Sequence, residues 1–245
     1  DAELQMGTHD LTVEFWLKTS ASGTQRIISN GGTATSDDGY SIKILSNGKL
    51  RVDISDGTTS DGKQTNVVVN DGNWHHCSVV FDRDHQLRIC VDGTCVTKLI
   101  DSLSDLNFDN TNSSFVMGRT ATSNSTNSYT GNLDEVRIWD TALSESTIQE
   151  WMHKPIDDSH SNYANLNAYY QMSDGSGTSL TDNSVNSNTG TLTNMDDDDW
   201  VTSNAPIGCT ISGNSGFRMM SSPVAGQIYS DLLAELWTQG MTGAD

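Results

Sequence analysis

Asp134 is the residue of this chain most in need of a chemical partner. It sits in Gly131-Asn132-Leu133-Asp134-Glu135-Val136-Arg137-Ile138-Trp139, which reads as a strand. Strict alternation puts Asp134 on the face shared by Val136 and Ile138, the core-facing side. A carboxylate there is costly unless a cation, backbone amides or an Arg satisfies it. Other oxygen-rich or nitrogen-rich stretches invite chemistry less strongly. Asp182-Asn183-Ser184-Val185-Asn186-Ser187-Asn188 spaces oxygens like a calcium loop, but lacks the Gly at the sixth and the Glu at the twelfth position. Turns in which Asp and Asn side chains bond their own backbone explain it better. Asp196 to Asp199 forms an acidic run before Trp200, best read as a solvated face. His75 and His76 are adjacent on a strand pattern and point to opposite faces, so they are poorly placed to chelate one ion.

Cys90 and Cys95 flank Val91-Asp92-Gly93-Thr94. Asp-Gly favours a two-residue type I′ turn. Val91 and Thr94 then form the hydrogen-bonded pair at the turn, and Cys90 faces Cys95 in the non-hydrogen-bonded pair beyond it. Such pairs lie within disulfide range, so a Cys90–Cys95 disulfide is expected, and with it an oxidising compartment. Cys77 shares the Val79/Phe81 face and reads as a buried thiol, and Cys209 has no evident partner.

The elements that position these residues are short strands separated by Gly, Asn and Asp turns: 11–17, 26–29, 40–45, 49–54, 65–69, 74–81, 86–91, 95–99, 113–117, 133–139 and 165–171. This is the pattern of an all-β, antiparallel two-sheet sandwich. One short helix follows the last main strand. Ser144 is its N-cap, Glu145 suits its dipole, Ile148 and Trp151 share its apolar face, and Pro155 marks its end. It is expected to pack against a sheet edge. Residues 1–205 read as one domain; residues 172–204 either close it, the favoured reading because Ala168, Tyr170 and Leu192 need a surface to bury against, or open a following repeat. Residues 206–245 read as a linker and the start of a following module, including an amphipathic helix over 228–237.

Composition narrows the partners. Formal net charge is −19, with 13 Lys and Arg against 32 Asp and Glu. Nucleic acids and anionic membranes are disfavoured, because both need basic patches. No run of 18 apolar residues is present, so no membrane insertion is expected.

Several motifs carry a family resemblance. Gly131 to Trp139 with the following Ala142-Leu143-Ser144 resembles the closing strand of laminin-G-like, concanavalin A-like jelly-roll domains. Leu11-Thr12-Val13-Glu14-Phe15-Trp16-Leu17-Lys18 resembles an early strand of that family. Asn73-Trp74-His75-His76-Cys77 with Ser78 to Asp82 resembles its central strand, and Leu87 to Gly93 its next hairpin. Ala168-Tyr169-Tyr170-Gln171 with Asp174-Gly175-Ser176-Gly177-Thr178 resembles a strand and turn that recur beside such domains. The resemblance spans residues 8 to 204 and implies a pentraxin-like jelly roll from a bacterial-type secreted or cell-surface protein of several domains.

The resemblance also implies a structural Ca²⁺, held by Asp134 and by backbone carbonyls from the amino-terminal segment and a Gly-containing loop. The matching loop is Asp37-Asp38-Gly39-Tyr40, with Gly39 offering a carbonyl and Asp38 a carboxylate. The implied function is a non-catalytic adhesion module that binds a glycan or glycoprotein. Tyr40, Tyr129 and Trp200, in polar loop-like contexts, are the candidate ligand platforms. Trp16, Trp74 and Trp139 follow strand patterns and are read as packed. The alternative is a structural spacer or protein-contact module. A glycoside hydrolase is less favoured, because no Glu-x-Asp-x-Glu triplet occurs.

Overall fold

The structure is a computed structural model that describes Leu4 and residues 7–31, 38–84, 86–100, 107, 109, 114–121 and 127–208. The expectations for Asp37, Ser113, Cys209 and the 209–245 segment lie outside the described residues.

Among the described residues, thirteen strands and one α-helix are laid down in chain order. They are β1 Leu11–Lys18, β2 Gln25–Gly31, β3 Asp38–Ile44, β4 Lys49–Asp56, β5 Ser60–Val68, β6 Trp74–Asp82, β7 Gln86–Val91 and β8 Thr94–Leu99. There follow β9 Val116–Met117, β10 Asn132–Trp139, helix α1 Glu145–Trp151, β11 Leu166–Tyr170, β12 Ser179–Leu180 and β13 Gly190–Thr191. One sheet has six strands in the order β11-β10-β1-β6-β7-β8, and the other five in the order β5-β4-β3-β2-β9. All their pairings are antiparallel. This is the two-sheet sandwich expected from the strand pattern.

The core lies between the sheets. Val13, Phe15 and Leu17 of β1, Val79 and Phe81 of β6, and Val136 and Ile138 of β10 meet Tyr40 and Ile42 of β3 and Val52 and Ile54 of β4. Period-2 alternation supplies one inward row per strand. Leu180 is buried in the same core, and Leu192 and Trp200 pack against it, so residues beyond β11 lie on the sandwich. The β7–β8 hairpin turns at Asp92 and Gly93, both with positive φ, as a type I′ turn requires. Cys90 pairs with Cys95, and the two form a disulfide with Cα atoms 4.0 Å apart. Cys77 is a buried free thiol.

A second apolar layer covers the outer face of the six-stranded sheet. Ser144 caps α1 by accepting the Thr147 amide. Ile148 and Leu143 pack with Val80, Trp139, Leu166 and Tyr169. The helix therefore lies on a sheet face, not on an edge as expected. Trp139 and Tyr169 point outward from central and edge strands of the sheet, and only a covering layer can bury them.

Candidate functional site

The alternation that placed Asp134 in the core breaks at Glu135. On β1, Glu14 pairs with Arg137, while Trp16 pairs with Asp134, so two residues of β10, Glu135 and Val136, answer the single Phe15 of β1. Glu135 has φ 51°, a left-handed backbone unusual for a side chain of its size. This β-bulge turns Asp134 onto the face of Trp16, away from Val136 and Ile138. Trp16 belongs to the outer layer: its Nε1 donates to the Met152 carbonyl at 3.0 Å and its ring packs against His76 and His153. Asp134 thus satisfies itself outside the core. Its Oδ1 accepts the Glu135 amide at 2.9 Å, and its Oδ2 accepts the Ser203 hydroxyl. Burial raises its carboxyl above the ordinary value; the Ser203 bond pulls the other way and the charge of Glu135 pushes it up further.

The arginine of this strand serves Glu135 instead. Arg137 Nη2 donates to Glu135 Oε2 at 2.7 Å, and the Tyr169 hydroxyl donates to the same oxygen at 2.6 Å. The guanidinium also donates to the carbonyls of Trp151 and Lys154, at 3.1 and 2.7 Å, tying the helix end to the sheet. Burial opposes the charge of Arg137, but Glu14 and Glu135 outweigh it and raise its affinity for the proton. Glu14 Oε2 lies 3.4 Å from His76 Nε2. Burial works against the charge of Glu14, yet His76 and Arg137 hold its carboxyl below the ordinary value.

Asp134 opens onto a cleft of about 500 Å³, within the usual size of small-molecule sites. One wall is the stretch after β11, with Gln171, Met172 and Ser173; the other is the segment from Trp200 to Ile207. That segment is strapped down by Ser203 to Asp134, by Asn204 Oδ1 accepting from Trp74 Nε1 at 2.7 Å and by the Pro206 carbonyl 2.9 Å from His153 Nδ1, and just beyond it the Gly208 amide donates to the His153 carbonyl at 2.8 Å. The Trp200 indole lines the cleft, with its Nε1 donating to the Gly177 carbonyl at 3.2 Å. Two hydrogen bonds leave a carboxylate with acceptor capacity to spare. The site therefore combines an aromatic surface, a carboxylate, an amide and hydroxyls.

The structure brings Asp134 and Trp200 together and separates the other expected site residues from them. Tyr40 is fully buried against Phe81, because its segment is strand β3 and not a loop; it offers no platform. Tyr129 is half-buried, and its hydroxyl is held by the carbonyls of Lys18 and Asn132, at 3.1 and 2.9 Å. Asp38 and Gly39 begin β3 in the five-stranded sheet, where Gly39 pairs with Gly31 and approaches the Asn30 carbonyl too closely for any Cβ. Asp134 faces outward from the other sheet. The expected calcium ligands Asp134, Asp38 and Gly39 thus do not converge, and no group of three or more His, Cys, Asp or Glu able to hold a metal occurs among the described residues.

Two secondary candidates resolve as structural devices. Buried Asp182 accepts the amides of Tyr169, Ser184 and Asn188 and the Ser184 hydroxyl, at 2.7–2.8 Å, so its carboxylate is spent on backbone. His75 and His76 do part to opposite faces. His75 is clamped between Asp92 (Nδ1 to Oδ2, 2.7 Å) and Asp71 (Nε2 to Oδ1, 3.1 Å). Its hydrogen bond to Asp92 is the main influence and raises its pKa, burial opposes, and Asp71 adds to the rise.

Comparison with known proteins places the fold. The profile of the concanavalin A-like lectin/glucanases superfamily matches residues 1–149. Among solved structures, a Bacteroides ovatus protein provisionally described as carbohydrate-binding aligns with TM-score 0.59 and 17% identity over 83% of this chain and 56% of its own. The binding domain of Paraclostridial Mosquitocidal Protein 1 aligns with TM-score 0.50 and 17% identity over 61% of this chain and 38% of its own. The chain thus spans only part of the length of either. At these identities the likeness is one of fold. No curated protein sequence matches the chain.

Proposed function

The chain belongs to the concanavalin A-like lectin/glucanases superfamily, and on that footing we propose that it is a non-catalytic binding module whose cleft at Asp134 takes a carbohydrate. One observation carries this reading: a single open cleft gathers the Trp200 indole, the Asp134 carboxylate, the Gln171 amide and the Ser203 hydroxyl. An aromatic face beside hydrogen-bonding groups suits a sugar ring, which has both an apolar face and a polar rim. Glu135, the other acid at the cleft, is held by Arg137 and Tyr169, which favours binding over acid–base catalysis. The Cys90–Cys95 disulfide supports placement outside the cytoplasm. No helix among the described residues is long and apolar enough to cross a membrane.

A glycan array followed by calorimetry on the best ligand tests the proposal. Trp200→Ala is expected to weaken binding about tenfold, the equivalent of about 1.4 kcal/mol of lost aromatic contact, while its melting curve reports any loss of fold. An array without hits, or a folded Trp200→Ala that binds as tightly as the parent, overturns it in favour of a spacer or protein-contact module. Repeating the titration with EDTA asks whether Ca²⁺ belongs to the site, and release of reducing sugar would mark a hydrolase.

A further inference from the structure

The outer face of the five-stranded sheet carries an array that the cleft does not use. Register places Arg26 on β2 opposite Lys43 on β3, Lys43 opposite Arg51 on β4, and Arg51 opposite Gln64 on β5. Three cations therefore stand side by side on successive strands, at a spacing of roughly 4.8 Å per strand. Like charges directly opposite one another destabilise a sheet. A single carboxylate in the next row offsets them. Asp53 lies 2.5 Å from Lys43 Nζ and 2.6 Å from Arg51 Nε, and Arg26 Nη1 donates to the Ser41 hydroxyl at 2.9 Å.

Gly62, paired with Asp53, leaves room for this clamp. A Cβ there would lie 2.5 Å from Asp53 Oδ1 and 2.9 Å from Arg51 Nη2. The cationic side chains are held but reachable, at 16% exposure for Lys43 and 32% for Arg51. Three cations against one acid reverse, locally, the sign of a chain whose net charge is −19 with only 13 Lys and Arg in all.

We propose that this row is a second ligand site, for an anionic polysaccharide laid across the strands. A sugar ring is about as long as one strand spacing, so acids borne by successive rings fall on successive cations. Gln64 at the end of the row supplies an amide for a sugar hydroxyl. Nucleic acid fits less well: no residue of the two rows is aromatic, so bases have nothing to stack on. The row is independent of the cleft and of the function proposed for it.

The test is retention of the full chain by polygalacturonate (carboxylate), dextran sulfate (sulfate), neutral dextran and oligo-dT. Retention by either or both of the first two supports the site and names its acid. Three charge contacts at a log–log slope of about 0.7 each predict that raising salt from 50 to 200 mM weakens binding roughly 18-fold. Arg26→Gln, which orphans no charge because its partner is the Ser41 hydroxyl, is expected to cut that factor to roughly 7-fold. Trp200→Ala is expected to leave polyanion retention unchanged, so this site and the cleft fail separately. Absence of retention, insensitivity to salt or to Arg26→Gln, loss of retention in Trp200→Ala, or equal retention by neutral dextran or oligo-dT overturns the proposal.

Discussion

The bulge at Glu135 predicts an inverted order of two substitutions. Glu135→Ala removes the carboxylate that receives Arg137 and Tyr169, at 2.7 and 2.6 Å, inside a layer where Arg137 is 1% exposed. Deleting one partner of a buried ion pair costs about 3–5 kcal/mol. Glu14 remains as a second anion for Arg137, which places the expectation toward the lower end. Alanine also keeps the strain of φ 51°, about 1–2 kcal/mol for an L-residue in the left-handed region. Glycine escapes that strain but loses more chain entropy on folding, about 0.5–1 kcal/mol. Glu135→Gly should therefore be less destabilising than Glu135→Ala by about 0.5–1 kcal/mol, although it deletes more atoms. In a chain of this size about 3–5 kcal/mol lowers Tm by roughly 6–20 °C, and the Gly variant should melt roughly 1–4 °C above the Ala variant. Urea unfolding of both variants, with equal m-values, measures the difference directly. If Ala equals or exceeds Gly in stability, residue 135 is not left-handed, and the outward turn of Asp134 loses its basis.

Three further outcomes follow from the same structure. The raised pKa of Asp134 means that its folded form holds the proton longer than the unfolded chain does. Stability is therefore lost as pH rises from the ordinary carboxyl value through the folded one, and Asp134→Asn should melt higher relative to the parent at pH 7 than at pH 4. The pKa of His75 is raised, chiefly by Asp92, so its clamp contributes fully below the unfolded value and fades as pH rises through the folded one; the Tm deficit of His75→Gln should shrink between pH 6 and pH 9. The Cys90–Cys95 bridge closes a loop of sequence separation 5, worth about 2 kcal/mol by loop entropy; Cys90→Ser with Cys95→Ser should lose that amount in urea, and reductant should then change nothing more.

Local chemistry was legible in the sequence and departures from period were not. The Asp92-Gly93 turn announced the hairpin, its register and its disulfide because turn type alone determines which residues face each other. Ser144 announced α1 by its capping chemistry. The surroundings of Asp182 read correctly as a turn, because two calcium-loop positions were missing. By contrast, the side of the strand on which Asp134 falls depended on one extra residue at Glu135, and neither its type nor its neighbours signal a left-handed backbone. Tyr40 looked loop-like because Asp37, Asp38 and Gly39 precede it, yet β3 starts at Asp38 and Tyr40 is its first large inward residue. The cleft joins Asp134 to Trp200 and Ser203 across 66 to 69 positions, a proximity that no local pattern encodes.

The overall charge makes one last expectation distinctive. The cation row attracts a polyanion over a few ångströms, while the −19 of the whole chain repels it over any distance that salt leaves unscreened. At 0.01 M salt the screening length is about 30 Å and distant acids reach a ligand approaching Lys43; at 0.1 M it is about 10 Å and chiefly the row and Asp53 are felt. Repulsion is thus screened first and attraction later, because the attracting charges are the nearer ones. Affinity for an anionic polysaccharide should rise from 0.01 M salt, pass through a maximum below 0.05 M, and then fall. A protein bound by a diffuse basic surface would lose affinity from the lowest salt onward. Titration of polygalacturonate across that range separates the two, and a monotonic fall would show that the distant carboxylates do not bear on the row, so that a local array of Arg26, Lys43 and Arg51 set against an acidic whole is the wrong description of the charge on this face.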